Sequence, residues 1–121
     1  MTQHILIVDD EKNIAISVDY LLRREGFEVS VAHDGEEGLK LIKSLQPDLV
    51  LLDVMMPKLN GFEVCEAVKR DPALSSIRII MLTAKGRDAE KEKGLTLGAD
   101  AYITKPFATR DLVTQVKALL E

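Results

Sequence analysis

Asp53 stands directly after Leu49-Val50-Leu51-Leu52, four apolar residues in a row. A run without alternation suits a strand buried on both faces, as in a parallel sheet covered by helices. Asp53 then falls at the carboxyl end of a central strand, where a carboxylate is expensive unless it is paired or has chemistry to perform. Asp9-Asp10-Glu11 follow a second such run, Ile5-Leu6-Ile7-Val8, while Thr83-Ala84 and Thr104-Lys105-Pro106 close two further ones. Brought to one rim, three of these carboxylates would repel, each close pair by about 4 kcal/mol at roughly 4 Å for an effective dielectric near 20. Such a cluster needs a cation or raised pKa values. Oxygen ligands without His or Cys point to a hard ion, magnesium first. Acid cluster, divalent ion, the Lys105 charge and the Thr83 hydroxyl together meet the electrostatic needs of phosphoryl transfer to a carboxylate, with Asp53 as nucleophile. Taken singly the residues read more plainly: Asp53 as a cap on the next turn, Lys105 as a solvated loop charge, Thr83 as a strand-end cap.

The elements that must position this rim alternate along the chain. Strands are predicted over His4 to Val8, Val29 to Ala32, Leu49 to Leu52, Ile77 to Leu82 and Ala101 to Ile103. From Lys12 to Arg24, Ile14, Val18, Leu21 and Leu22 recur at helical spacing, and Gly26 ends that helix. Asp34 with Glu37 resembles a capping box for a second helix, which turns Leu39, Ile42 and Leu45 inward and stops before Pro47. Asn60 caps a third helix running to about Arg70, with Phe62, Cys65 and Val68 on one side. The fourth, about Asp88 to Leu97, is nearly all charged, with few apolar anchors before Leu95. The last starts after Thr109 and buries Leu112, Val113, Val116, Leu119 and Leu120. Five strands alternating with five helices predict an α/β fold: a five-stranded parallel sheet of flavodoxin-like order 2-1-3-4-5, with helices on both faces. That order brings Asp9-Asp10, Asp53, Thr83 and Thr104-Lys105 to one rim, at the point where the strand order reverses.

Composition removes several classes of function. With 121 residues the chain is expected to form a single domain over 1–121, and no repeat or linker interrupts it. A net charge of −4 without a basic block argues against direct binding of nucleic acid. The single Cys65 excludes an internal disulfide and reads as a buried core thiol. Met1-Thr2-Gln3-His4 lacks the layout of a signal peptide and no apolar run approaches membrane-spanning length, so a cytoplasmic location is expected.

Four separated stretches carry a family resemblance: Ile7-Val8-Asp9-Asp10-Glu11, Leu52-Asp53-Val54-Met55-Met56-Pro57 with Asn60-Gly61, Leu82-Thr83-Ala84, and Ile103-Thr104-Lys105-Pro106-Phe107. In this order and at these strand ends they resemble the receiver domain of the response regulators of bacterial two-component signal transduction. The resemblance spans the whole chain. It implies a phosphoacceptor switch rather than an enzyme, with Asp53 taking the phosphoryl group from a sensor histidine kinase or a histidine phosphotransfer protein. It implies magnesium on Asp10, Asp53 and the backbone carbonyl of Met55, with Asp9 acting mostly through water. It assigns Thr83 and Lys105 to the phosphoryl group, a small Ala84 to its access, and Tyr102 to an inward turn on activation. Lys105-Pro106 matches a peptide bond that is usually cis in the family. The face built by the fourth helix, fifth strand and last helix would meet a downstream protein target or effector domain. Met55 and Lys85 would flank the water that hydrolyses the phosphoaspartate, and neither acts as a base toward it, so slow self-dephosphorylation is expected.

Departures from the pattern and rival readings remain on the table. Many transcriptional members carry a second acid after Gly-Ala-Asp and an Arg in the last helix, whereas Ala101 and Gln115 stand here. A stand-alone receiver and one excised from a longer transcriptional or enzymatic regulator both fit. His4 and His33 are isolated and suit surface roles. A flavin carrier could share the fold, but Asp9-Asp10-Glu11 would repel a phosphate that lacked a metal. An aspartate-nucleophile phosphatase usually places a second acid two residues past its nucleophile, where this chain has Met55. A scaffold that keeps the fold without taking up phosphate is the third rival.

Overall fold

Each apolar run is divided between two cores, which is why none of them alternates with polar residues. The computed structural model describes residues 2–84 and 88–121. Five strands, β1 (His4–Val8), β2 (Glu28–Ala32), β3 (Leu49–Asp53), β4 (Arg78–Ala84) and β5 (Ala101–Lys105), alternate with α1 (Lys12–Arg24), α2 (Gly35–Leu45), α3 (Gly61–Arg70), α4 (Asp88–Thr96) and α5 (Thr109–Leu120). The sheet runs β2-β1-β3-β4-β5 and every pairing is parallel, as expected. Leu6, Val8, Val50, Leu52, Ile79 and Met81 face Ile42, Val64 and Val68 on one side. Ile5, Ile7, Leu49, Leu51, Ile80 and Leu82 face Ala15, Val18, Leu22, Leu112 and Val116 on the other. Strand β3 is buried at all five positions, Asp53 included. Among the described residues no helix is long and apolar enough to cross a membrane.

Local chemistry sets the helix boundaries, with some departures from expectation. Asp34 accepts a hydrogen bond from the Glu37 amide at 2.8 Å, but the Glu37 carboxylate accepts from the His33 amide rather than closing a box on Asp34. The full reciprocal box is at α3, where Asn60 accepts from the Glu63 amide at 3.0 Å and Glu63 from the Asn60 amide at 3.1 Å. The stripe of α3 is Val64, Cys65 and Val68, with Phe62 only half-buried. Burial pushes the Cys65 thiol up to about 11, as suits an inert core cysteine. Leu45, expected inward, is exposed as the last residue of α2, just before the left-handed turn at Gln46. Strand β4 begins at Arg78 rather than Ile77, because the Ile77 amide donates to Leu74 O at 3.0 Å and closes a turn. Leu95 is exposed rather than an anchor; the buried residue of α4 is Gly94, set against Met81.

The amino-terminal edge of β4 is fastened by one carboxylate. Asp100 accepts from the Ile79 amide at 2.8 Å and from Lys69 Nζ at 3.1 Å, while its own amide donates to Ile79 O at 2.9 Å. Lys69 also donates to Ile77 O at 2.7 Å, and Arg78 reaches Asp100 at 3.4 Å.

Candidate functional site

Parallel strands that reverse order leave a crevice outside their carboxyl ends. Here the reversal lies between β1 and β3, and the residues that follow or end those strands are acidic. Asp9 is fully buried, Asp53 is 6% exposed and Asp10 is open to solvent. One carboxylate oxygen from each of Asp9, Asp10 and Asp53 lies within 4.8 Å of the others. The donor set is all oxygen, which suits a hard divalent cation.

Lys105, at the end of β5, supplies a positive charge at the rim. Its Nζ donates to Asp9 Oδ2 at 2.9 Å and to Glu11 Oε1 at 3.2 Å, and lies 3.5 Å from Asp53 Oδ1. Asp9 Oδ1 also accepts from the Glu11 amide at 2.9 Å, so the loop after β1 folds back on its own acid. Burial works against the charge of Lys105, but Asp9 and Asp53 outweigh it and hold the ammonium above its usual pKa. At Asp53 the balance runs the other way. Burial first, then Asp9, raises its pKa to about 7, with Lys105 opposing and Asp10 adding to the rise. One ammonium does not neutralise this cluster. Glu11 as a partner of Lys105 was not singled out from the sequence, and its signal was the unbroken Asp9-Asp10-Glu11 run.

The other expected residues fall around this cluster at varied distances from solvent. Thr83 is buried on β4, one residue past Leu82, which pairs with Asp53 in the β3–β4 ladder. Ala84 is exposed beside Lys105 in the β4–β5 register. The Lys105–Pro106 peptide bond is cis. Met55 is 63% exposed in the loop that leaves β3. That loop closes on itself, since Val54 O accepts from the Gly61 amide at 2.9 Å. Tyr102 is half-buried on β5 with Lys91 Nζ 4.2 Å above its ring, and Lys93 sits 4.7 Å above Phe62. A groove of about 600 Å³ runs along the α4–β5–α5 face, lined by Tyr102, Phe107, Asp111 and Gln115 among others. His4 bonds Ser30 at 2.8 Å at the opposite end of the sheet. Lys85 lies outside the described residues.

Comparison with known proteins agrees with this geometry. A family model described as the response regulator receiver domain matches residues 5–117. The alkaline phosphatase synthesis transcriptional regulatory protein PhoP of Bacillus subtilis (strain 168) is 48% identical over 120 residues, covering 99% of this chain and 49% of that protein. The chain thus spans about half the length of that curated relative. A CheY-like response regulator receiver domain protein of Methanospirillum hungatei JF-1 superposes with a TM-score of 0.93 at 35% identity, over 99% of this chain and 94% of that one. The chemotaxis response regulator CheY4 of Vibrio cholerae gives 0.92 at 31% identity, over 98% and 99%.

Proposed function

The chain belongs to the response regulator receiver domain family, and on that premise we propose that Asp53 is its phosphoacceptor. An Asp53 oxygen attacks a phosphorus held on a histidine nitrogen of a sensor kinase or phosphotransfer protein. The O–P bond forms as the N–P bond breaks, and the imidazole leaves with the electron pair and takes a proton from solvent. A bound magnesium ion would offset the charge on the transferring group, held by Asp10, Asp53 and the Met55 carbonyl with Asp9 acting through water. Lys105 changes partners from the acids to the phosphoryl oxygens, and Thr83 donates its hydroxyl. Ala84 leaves room beside the incoming group. The observation that carries this reading is the set of three carboxylates within 4.8 Å at the reversal of strand order, with Lys105 already among them.

In this reading residues 1–121 act as one phosphoacceptor switch in the cytoplasm, and turnover of a substrate is not their role. Met55 stands where an aspartate-nucleophile phosphatase usually carries its second acid. The phosphoryl group adds roughly −1.5 to −2 charges, Thr83 moves toward it, and Tyr102 turns into the space released. The α4–β5–α5 face then meets a separate protein target or an attached effector domain, rather than nucleic acid or membrane. Intact mass after incubation with acetyl phosphate and magnesium tests the reading. One phosphoryl group is expected on the parent, and none on Asp53→Asn or in excess chelator. Equal labelling of Asp53→Asn would overturn it.

A further inference from the structure

Gly35 is the first residue of α2, and its backbone does not require glycine. Among the described glycines only Gly26 and Gly98 lie in the left-handed region, so an alanine at Gly35 would suit the helix better. What excludes a side chain there is another segment. A Cβ on Gly35 would lie 1.9 Å from Leu59 O, 2.7 Å from Leu59 C and 2.8 Å from Leu59 Cβ. The two nearest atoms are backbone, so no side-chain rotation makes room.

The segment that Gly35 admits is the loop that carries Met55. At its base the loop is closed by the Gly61 amide on Val54 O, and Val54 N donates to Leu82 O at 3.2 Å. At its tip Lys58 adopts a left-handed conformation at φ 70° and pairs with Asp34 at 3.6 Å. Asp34 is also the cap of α2, and the Glu37 amide, with Lys58 adding to it, keeps its carboxyl below the usual carboxylate range. Met55 therefore sits between two fixed points, the base beside Asp53 and the tip against α2.

We propose that Gly35, with the Asp34–Lys58 pair, is a positioning residue for the phosphoacceptor site: by letting Leu59 rest on the start of α2 it sets where the Met55 backbone lies, and so how tightly magnesium is held. The inference rests on the function proposed above for Asp53 and Met55. Alanine at Gly35 forces the Leu59 carbonyl outward, and the displacement passes along the short loop to Met55 on one side and to the Gly61 amide that closes its base on the other. Gly98→Ala is the matched control, since its φ of 106° strains any side chain at the opposite end of the sheet.

The test compares the parent chain with Gly35→Ala, Lys58→Asn and Gly98→Ala. Magnesium binding is measured by titration calorimetry, and amide exchange over residues 55–61 is measured in the metal-free proteins. Lys58→Asn removes the charge but keeps a residue that tolerates the left-handed region. Expected is a loss of magnesium affinity of about tenfold for Gly35→Ala, the low end for partners that orient metal ligands, with faster exchange at the Gly61 amide. A smaller change of the same sign is expected for Lys58→Asn and none for Gly98→Ala. At saturating magnesium Gly35→Ala still takes one phosphoryl group. Parent-like affinity and exchange in Gly35→Ala, or an equal loss of affinity in Gly98→Ala, overturns the proposal. Should Gly35→Ala not fold, Lys58→Asn decides alone: parent-like binding and exchange sink the idea. A parent that binds no magnesium overturns the proposed function instead, and the metal-free exchange still reports whether Gly35 fixes the loop.

Discussion

The two flanks of the acidic rim are held in opposite ways. On the side of α2 and α3, glycines bring backbone against backbone: Gly35 on Leu59, and Gly61 with its would-be Cβ 2.3 Å from Asp53 O. On the side of α4, contact runs through the ends of long side chains, with Lys91 over Tyr102, Lys93 over Phe62 and Gly94 against Met81. Backbone packing has no rotamer to give, whereas an ammonium over a ring slides or detaches at small cost. The contrast separates two tasks. On the function proposed for Asp53, a metal and a nucleophile would need fixed distances, and a reporting surface would need to move at small cost.

The largest expected effect asks whether the fixed flank really withholds room from the acids. With Asp53 titrating near 7 in the fold against about 3.9 unfolded, the folded state binds the extra proton between those values. Stability of the metal-free protein therefore falls as pH rises from about 4 to 7, by at most about 4 kcal/mol. Melting in excess chelator at pH 5 and pH 8 should show Asp53→Asn gaining far more at the higher pH. An equal gain at both would mean that the carboxylates relax apart.

A matched pair of substitutions sharpens the contrast next. Gly61→Ala meets the Asp53 and Val54 backbone and should cost about 1–3 kcal/mol. Gly94→Ala meets Met81 Cγ at 3.1 Å, a flexible neighbour, and gains helix propensity, so its net change should stay within about 1 kcal/mol. Denaturant midpoints at constant slope decide it; similar losses for both would erase the distinction.

The smallest effect lies on the moving flank. Lys91→Ala and Lys93→Ala should each lower stability less than Gly61→Ala does, since an ammonium over a ring is exposed to water, and should speed amide exchange in α4. Exchange across residues 55–61 should be untouched. A change there instead would couple the two flanks and blur the division of labour.

How far the sequence reached follows the same line. Unbroken apolar runs made β1, β3 and β4 legible, since burial on two faces leaves no alternation, whereas β2, at the sheet edge, reads Val-Ser-Val. The acids, Thr83 and Lys105 were legible because each ends such a run. The poor anchoring of α4 is visible in its charge, while its one buried position falls to Gly94, which pattern reading does not score as apolar. Asn60 is legible as a helix cap, while the need for Gly61 beside it is the approach of Asp53 O. Gly35 gave no signal at all. A residue chosen for what it leaves empty becomes visible only when the neighbour that fills the gap is known.

Asp100 gives β4 the mechanics of a cantilever. The strand is built in at its root, where Asp100 and Ile79 exchange backbone and side-chain hydrogen bonds and Lys69 braces the turn before it. In the proposed switch its loaded end is Thr83, on the rim. A beam clamped this way deflects most where it is loaded and hardly at its root, so in the proposed switch a pull at Thr83 is passed to its ladder neighbour Thr104 on β5 rather than to the root. The edge around Ser75 to Arg78 is therefore quiet ground. On the function proposed for Asp53, a fluorophore or tether attached at Ser75 or Ser76, clear of the Arg78–Asp100 pair, leaves the switching end undisturbed, and a reporter of the phosphorylated state belongs at the other end of the same strand.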